Sequence, residues 1–242
     1  MAAFSTSAIN TVGSIESARH DSCVLSGYHI RLARLEDISG ILDLHQEAFA
    51  DKFGGAFGPK GIQQGMRALQ SAWQRQGSQA LRGMLVAEWN NTIIGTTTLR
   101  TAEMGNDDYG ITELAFQQAL GLWKATRSMF ALSLLSHPIG AEEGFITDVA
   151  VLQTFRRRGV AVSLLQRAEE EARIWRKSYL GLYVSASNNG ARTLYARRGF
   201  QIGHVRRSWL TRLVFGQRAW MYMRKIMVPE TVPLPTSADS PN

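Results

Sequence analysis

An apolar run, Phe145 to Val151, and a helix-like run, Ala161 to Lys177, are joined through Arg156-Arg157-Arg158-Gly159-Val160-Ala161. A strand, a tight basic loop containing glycine and then a helix can build an anion cradle. The first N–H groups of a helix have no intrahelical acceptor and sit at the positive end of its dipole, so a phosphate can take them as donors. Gly159 permits a positive φ or close approach of the backbone, and the small Ala161 keeps the helix start clear. An ordinary solvated strand–helix connection has the same composition, so this loop alone leaves both readings open. Metal chemistry is not expected. His20, His29, His45, His137 and His204 form no i, i+4 pair and no cluster with Cys or carboxylates at ligand spacing.

A second segment decides between the two readings of the loop. Asn188-Asn189-Gly190-Ala191-Arg192-Thr193-Leu194-Tyr195-Ala196-Arg197-Arg198-Gly199-Phe200 follows a strand-like run, Gly181 to Ser185, and reads as a short helix ending at glycine. Together, in this order, the segments resemble the acyl-CoA-binding core of the GNAT superfamily of N-acetyltransferases. In that family a strand ending in Val precedes Arg/Gln-x-x-Gly-x-Gly/Ala, matched here by Val151, Arg156, Gly159 and Ala161. The family's later Asn-x-x-Ala-x-x-Leu-Tyr with a terminal Gly-Phe is matched by Asn188, Ala191, Leu194, Tyr195, Gly199 and Phe200. Ala161 departs from the commoner second glycine.

The resemblance spans roughly residues 28–226 and is strongest over 143–200. It implies an α/β fold with a mixed sheet, flanked by helices, whose fourth and fifth strands splay to admit a pantetheine arm. It also implies acetyl-CoA as co-substrate, an amine acceptor and direct acetyl transfer in a ternary complex. Val149, Ala150 and Val151 would line the arm, with main-chain groups of Val149 and Val151 pairing with its amides. The N–H groups of Arg157, Arg158, Gly159, Val160 and Ala161 would hold the pyrophosphate, with Arg156 and Arg158 adding charge. Asn188 would bond the pantetheine or cap its own helix. Tyr195 would protonate the departing thiolate, and the Val151 N–H would face the oxyanion. For the base, the family's placement of a Glu near the start of the fourth strand points to Glu143. Asp148 is the other candidate, because an Asp inside an apolar strand needs a partner to offset burial. Strict alternation puts Glu143 on one face with Phe145, Thr147, Val149 and Val151, and Asp148 on the other. A water is a third route. The alternative function is a GNAT-fold module that binds CoA without acceptor chemistry.

Charge is distributed unevenly. Residues 1–155 carry 11 Lys/Arg against 15 Asp/Glu, whereas 156–225 carry 16 against only Glu169, Glu170 and Glu171. A basic half suits nucleic acid, an anionic surface or a polyanionic small molecule. Coenzyme A accounts for part of it, and no repeat or zinc spacing supports nucleic acid, so none is expected as a partner. Arg206, Arg207, Arg212 and Arg218 lie beyond the cofactor motifs and read as solvated.

The 242 residues suit one domain, 28–226, between flexible tails at 1–27 and 227–242, the latter rich in proline. Cys23 is the only cysteine, which suits a reducing compartment and a cytoplasmic setting. Met1 to Ser26 lacks a signal-peptide pattern, and Glu16 and Asp21 argue against a transit peptide. No apolar run reaches spanning length. Within the domain the pattern predicts a strand at 28–33 and a helix from Leu35. It also predicts a glycine-rich loop at 51–65, a helix over 62–76, and a hairpin of 84–89 with 92–100 around Asn90-Asn91. Residues 113–136 read as one or two inserted helices that pack on the sheet, or else form a lid, a homodimer surface or a membrane contact. The stripe Ala161, Leu165, Ala168, Ala172 and Trp175 predicts a helix laid on the sheet. Gly203–Phe215 and Arg218–Ile226 read as closing strands.

Overall fold

Alternating apolar and β-branched residues over 84–101 build the centre of the sheet. A computed structural model describes residues 27–105, 109–134 and 136–227. The expected tails therefore lie outside the described residues apart from Gly27 and Met227, and Cys23, His20 and Leu135 are outside them too. Strands β2 (Met84–Trp89) and β3 (Thr92–Thr101) form the expected hairpin. Asn90 and Asn91 both take positive φ, the turn that matches strand twist. The sheet continues through β1 (His29–Leu32), β4 (Glu143–Val151), β5 (Tyr179–Ser185), β6 (Gln201–Arg207) and β7 (Ala219–Ile226). Its order is β1-β2-β3-β4-β5-β7-β6, antiparallel except for the β4–β5 pair. That parallel pair runs only from Glu143 opposite Tyr179 to Ile146 opposite Leu182. Beyond it the two strands part, giving the mixed, splayed sheet that the sequence implies.

Helices cover both faces. On one face α6 (Val160–Ile174) and α7 (Asn189–Arg197) close a core around Leu85, Ile94, Leu99, Ile146 and Leu182. The other face carries α1 (Ile38–Ala48), α2 (Ala50–Phe57), α3 (Ile62–Gln76), α4 (Tyr109–Leu120), α5 (Leu122–Ser133) and α8 (Trp209–Phe215). The α6 stripe is set one residue earlier than expected at its start. Val160, Leu164, Leu165, Ala168 and Ala172 are buried, Ala161 is only partly so, and Trp175 lies past the helix and is 41% exposed.

Three expectations are corrected. Of residues 51–65 only 58–61 form a loop, because glycines on either side of it serve packing. A Cβ on Gly55 would stand 2.3 Å from the Val214 carbonyl of α8, and one on Gly65 would stand 2.3 Å from the Phe57 ring. With Phe53, Ala56 and Phe57 buried at i, i+3 and i+4, residues 51–57 are helical. Gly203–Phe215 is not one strand. Ser208 caps α8 by accepting from the Thr211 N–H, and Gly216 ends it at φ +70°. The inserted helices do not lie on the sheet but on the helices that cover it. Phe116 meets Phe57 edge-on at 5.4 Å, and the Ser128 hydroxyl donates to the Ala56 carbonyl at 2.9 Å.

Packing separates two apolar residues of the same stretch. Leu164→Ala should lower unfolding stability by about 2–5 kcal/mol, since Leu164 is fully buried between helix and sheet. Trp175→Ala should cost under about 1 kcal/mol. Denaturant midpoints with unchanged m-values check both, and equal losses would contradict this packing.

Candidate active site

The site begins with an irregularity in β4. Thr98 pairs with Thr147 and Thr96 with Ala150, so Thr97 alone opposes Asp148 and Val149. This is a β-bulge, and Asp148 adopts φ +52° within it. The bulge resets the alternation that the sequence led one to expect. Val149 and Val151 pack with Ile146 toward α6, whereas Ala150 packs toward α1–α3. Asp148 therefore lies on the Phe145 face, not opposite it.

Side chains from three other elements hold the bulge. Thr96 Oγ1 donates to the Asp148 carbonyl at 3.0 Å, which leaves the hydroxyl oxygen to accept from His45 Nε2, also at 3.0 Å. Burial, together with the neighbouring Lys52 charge, pushes His45 down to about 4, so the ring is neutral at pH 7. The Asp148 carboxylate accepts from Lys52 Nζ at 3.2 Å and from the Thr147 hydroxyl at 3.0 Å. Burial alone would raise its pKa, but Lys52 above all outweighs that and holds it at about 2. Lys52 arrives from α2, the helix that the glycines concealed.

A cleft of about 540 Å³ opens where β4 and β5 part. Phe145, Asp148 and Val149 line it from β4, and Tyr183 and Ser185 from β5. Asn188, Ala191 and Tyr195 line it from the α7 side, and α1, α2 and α8 form its opposite wall. Asn188 caps α7, its Oδ1 accepting from the Ala191 N–H at 3.0 Å. Tyr195 is buried, and burial raises its phenol to about 12, so it keeps its proton through the neutral range.

Glu143 is not brought to this cleft. It is 3% exposed, at the paired end of β4. Its carboxylate accepts from the Tyr222 hydroxyl at 2.6 Å and the Gly140 N–H at 3.3 Å, and His137 Nε2 lies 3.0 Å away. Burial works against its ionisation, but the His137 and Tyr222 bonds prevail and its pKa lies below the usual range. His137 in turn packs on Phe145, ring centroids 4.3 Å apart, so Glu143 reaches the cleft only through the wall it supports.

At the far end of β4 the basic loop leads into α6. Gly159 is the residue before the helix, at φ +82°, and a Cβ there would meet nothing within 4 Å. Arg157 also takes positive φ, +62°. The turn leaves open space at the start of a 15-residue helix, where an anion can take the first N–H groups as donors. Arg156 Nε donates to the Val151 carbonyl at 3.1 Å, tying the loop to the end of β4. Arg157 and Arg158 are exposed.

This geometry can be set beside known proteins. The sequence model of the Acetyltransferase (GNAT) family matches residues 41–200. The chain belongs to the GNAT acetyltransferase family. The curated relative named GCN5-related N-acetyltransferase 4, chloroplastic, from Arabidopsis thaliana, is 28% identical over 123 residues. That match takes in 45% of this chain and spans 40% of the relative's length. Among solved structures, an acetyltransferase superposes with TM-score 0.56 at 23% identity over 82% of this chain and 98% of its own. The ribosomal-protein-S18-alanine N-acetyltransferase of Escherichia coli gives 0.52 at 16% over 86% and 99%. A PaiA N-acetyltransferase from Thermoplasma acidophilum, solved in complex with coenzyme A, gives 0.51 at 16% over 83% and 99%. At these identities the likeness establishes the GNAT fold. No helix among the described residues is long and apolar enough to cross a membrane.

Lys52 and His45, both missed by the sequence reading, brace the bulge here. No local motif marks either one, since each is defined only by a tertiary contact, Lys52 with Asp148 on β4 and His45 with Thr96 on β3. Lys52→Met should raise the Asp148 pKa by at least about one unit, read by carboxyl NMR titration. The sign for stability follows from the depressed value. The ionised pair stabilises the fold above about pH 4 and is lost as pH falls toward 2. The stability gap between wild type and Lys52→Met should therefore close over that window. A gap independent of pH would mean that the pair does not set the Asp148 titration.

Proposed function

We propose that this chain moves the acetyl group of acetyl-CoA directly to a primary amine, with both substrates bound together. Three features carry this reading: the Gly159 turn at the far end of β4, the parted β4–β5 edges, and the Tyr195 phenol lining the cleft where those edges part. Arg157 to Ala161 would take the pyrophosphate through main-chain N–H groups, and Arg156 and Arg158 would add charge. The pantetheine would lie along Val149, Ala150 and Val151, pairing with main-chain groups of Val149 and Val151 that β5 no longer engages. Asn188 supports this arm by fixing the start of α7. A relative solved with coenzyme A fits the same reading.

The chemistry then needs few groups. The ammonium of the acceptor gives a proton to water, and its freed nitrogen lone pair attacks the thioester carbonyl carbon. The oxyanion that forms accepts from the Val151 N–H. The attacking nitrogen gives its second proton to water, the C–S bond breaks as the intermediate collapses, and the thiolate takes the Tyr195 proton, which solvent restores. Asp148, at about 2, is too acidic to hold the amine's proton. It draws the ammonium toward the bulge and orders the water that accepts the proton. Glu143 acts indirectly, holding Phe145 in place through His137.

Two variants test separate halves of this reading. Gly159→Val forces a β-branched residue into positive φ where phosphate would lie, and should weaken acetyl-CoA binding more than about tenfold by calorimetry. Tyr195→Phe should lower kcat about a hundredfold while the acetyl-CoA Kd shifts less than about twofold. Unchanged affinity in the first removes the cradle; unchanged turnover in the second removes the acid.

A further inference from the structure

The register of the last strands sets two rows across the acceptor side of the cleft. Tyr222 on β7 lies between Tyr183 on β5 and His204 on β6, and two residues along, Trp220 lies between Ser185 and Arg206. Ser185, Trp220 and Arg206 all line the cleft. Its lining carries two cations, Lys52 and Arg206. Lys52 is paired with Asp148. Arg206 has no carboxylate partner among the described residues. Its charge is felt at the Tyr183 hydroxyl, where it opposes the rise that burial imposes.

The other groups of the row are also short of partners or arranged around polar atoms. Trp220 Nε1 is buried at the cleft wall with no acceptor among the described residues. A buried donor left unpaired is costly, and a native fold retains few of them without a reason. Beside it, the Ser185 and Ser187 hydroxyls both donate to Gln217 Oε1, at 2.5 and 2.8 Å, and Gln217 Nε2 faces Asp51 at 3.5 Å. The cleft is thus bipolar, with the carboxylates of Glu47, Asp51 and Asp148 on the helix and bulge side and, on β6, a guanidinium with no carboxylate partner among the described residues.

We infer that the acceptor is itself bipolar: an amine that carries a carboxylate close by, which Arg206 binds. This rests on the transferase reading above and names the class of acceptor for it. A guanidinium presents paired N–H donors that match a carboxylate, and such charge-assisted bonds are the strong ones. The carboxylate has two sources, an acidic residue next to a peptide amino terminus or the α-carboxylate of a free amino acid.

The test uses the full chain with acetyl-CoA, following thiol release. One arm compares the peptides Ser-Asp-Ala-Tyr and Ser-Asn-Ala-Tyr, and the other compares glycine with glycinamide. In one arm the carboxylate-bearing acceptor should be preferred about tenfold or more in kcat/KM. Arg206→Gln should bring that ratio to within about twofold by raising KM for the carboxylate-bearing acceptor, and Arg206→Glu should reverse it. Acetyl-CoA affinity and thermal midpoint should stay at wild-type values in both variants. The arm that discriminates identifies the source. No preference in either arm, or a preference that survives Arg206→Gln, overturns the inference. Refusal of all four acceptors with acetylation of spermidine also overturns it, while the transferase reading stands. Binding of acetyl-CoA with transfer to no amine at all overturns the transferase reading, and this inference with it.

Discussion

One extra residue in β4 organises this molecule. Without the bulge at Asp148 the strand would keep strict alternation, Asp148 would face α6, and the opposite face would lose its carboxylate. With it, Phe145 and Asp148 share a face while Val149 and Val151 turn into the α6 core. A non-glycine residue at φ +52° costs free energy, on the order of 1–3 kcal/mol, and persists only where the surroundings over-determine it. Here they do. Thr96 and His45 hold the main chain of the bulge, and Lys52 and Thr147 hold its carboxylate.

The two faces of the sheet have different jobs. The α6 face is built from small and aliphatic residues in regular contact, which keeps the start of α6 rigid beside the Gly159 turn. The other face is assembled from short helices separated by glycines, and it delivers polar side chains to the cleft from distant parts of the chain. Lys52 comes from α2, Gln217 from the turn after α8, and Arg206 from an edge strand. Because β4 and β5 are parallel neighbours that pair over only four residues, the slot between these halves is made by strand divergence, not by a gap in packing.

The half of the site expected to hold the donor was legible because its parts are local. Val151, Arg156, Gly159 and Ala161 lie within eleven residues, and Asn188 to Phe200 form one helix and its end. Positive φ at Gly159 and the Asn188 cap are consequences of nearest neighbours, so residue type and spacing carry them. The helix over 62–76 and the hairpin of 84–89 with 92–100 were legible for the same reason, whereas the parting of the fourth and fifth strands followed only from the family resemblance. The α2 segment was misread because glycine marks both turns and tight helix packing, and only the closeness of α8 tells them apart. Glu143 was a reasonable base by strand position, but its pairing with Tyr222, 79 residues later, encloses it.

By itself, the sequence determined the local loop and helix that match an acyl-CoA site, which are written in short-range pattern, and through their family resemblance it implied the mixed sheet. Only the tertiary structure decided which carboxylate faces the cleft, because a single bulge reverses every side chain beyond it and no local signal announces one. It also decided that Arg206, exposed as composition suggested, lines the same cleft as Asp148 with no carboxylate partner among the described residues. That placement depends on β6 pairing with β7, and β7 with β5, contacts that exist only once the sheet has closed.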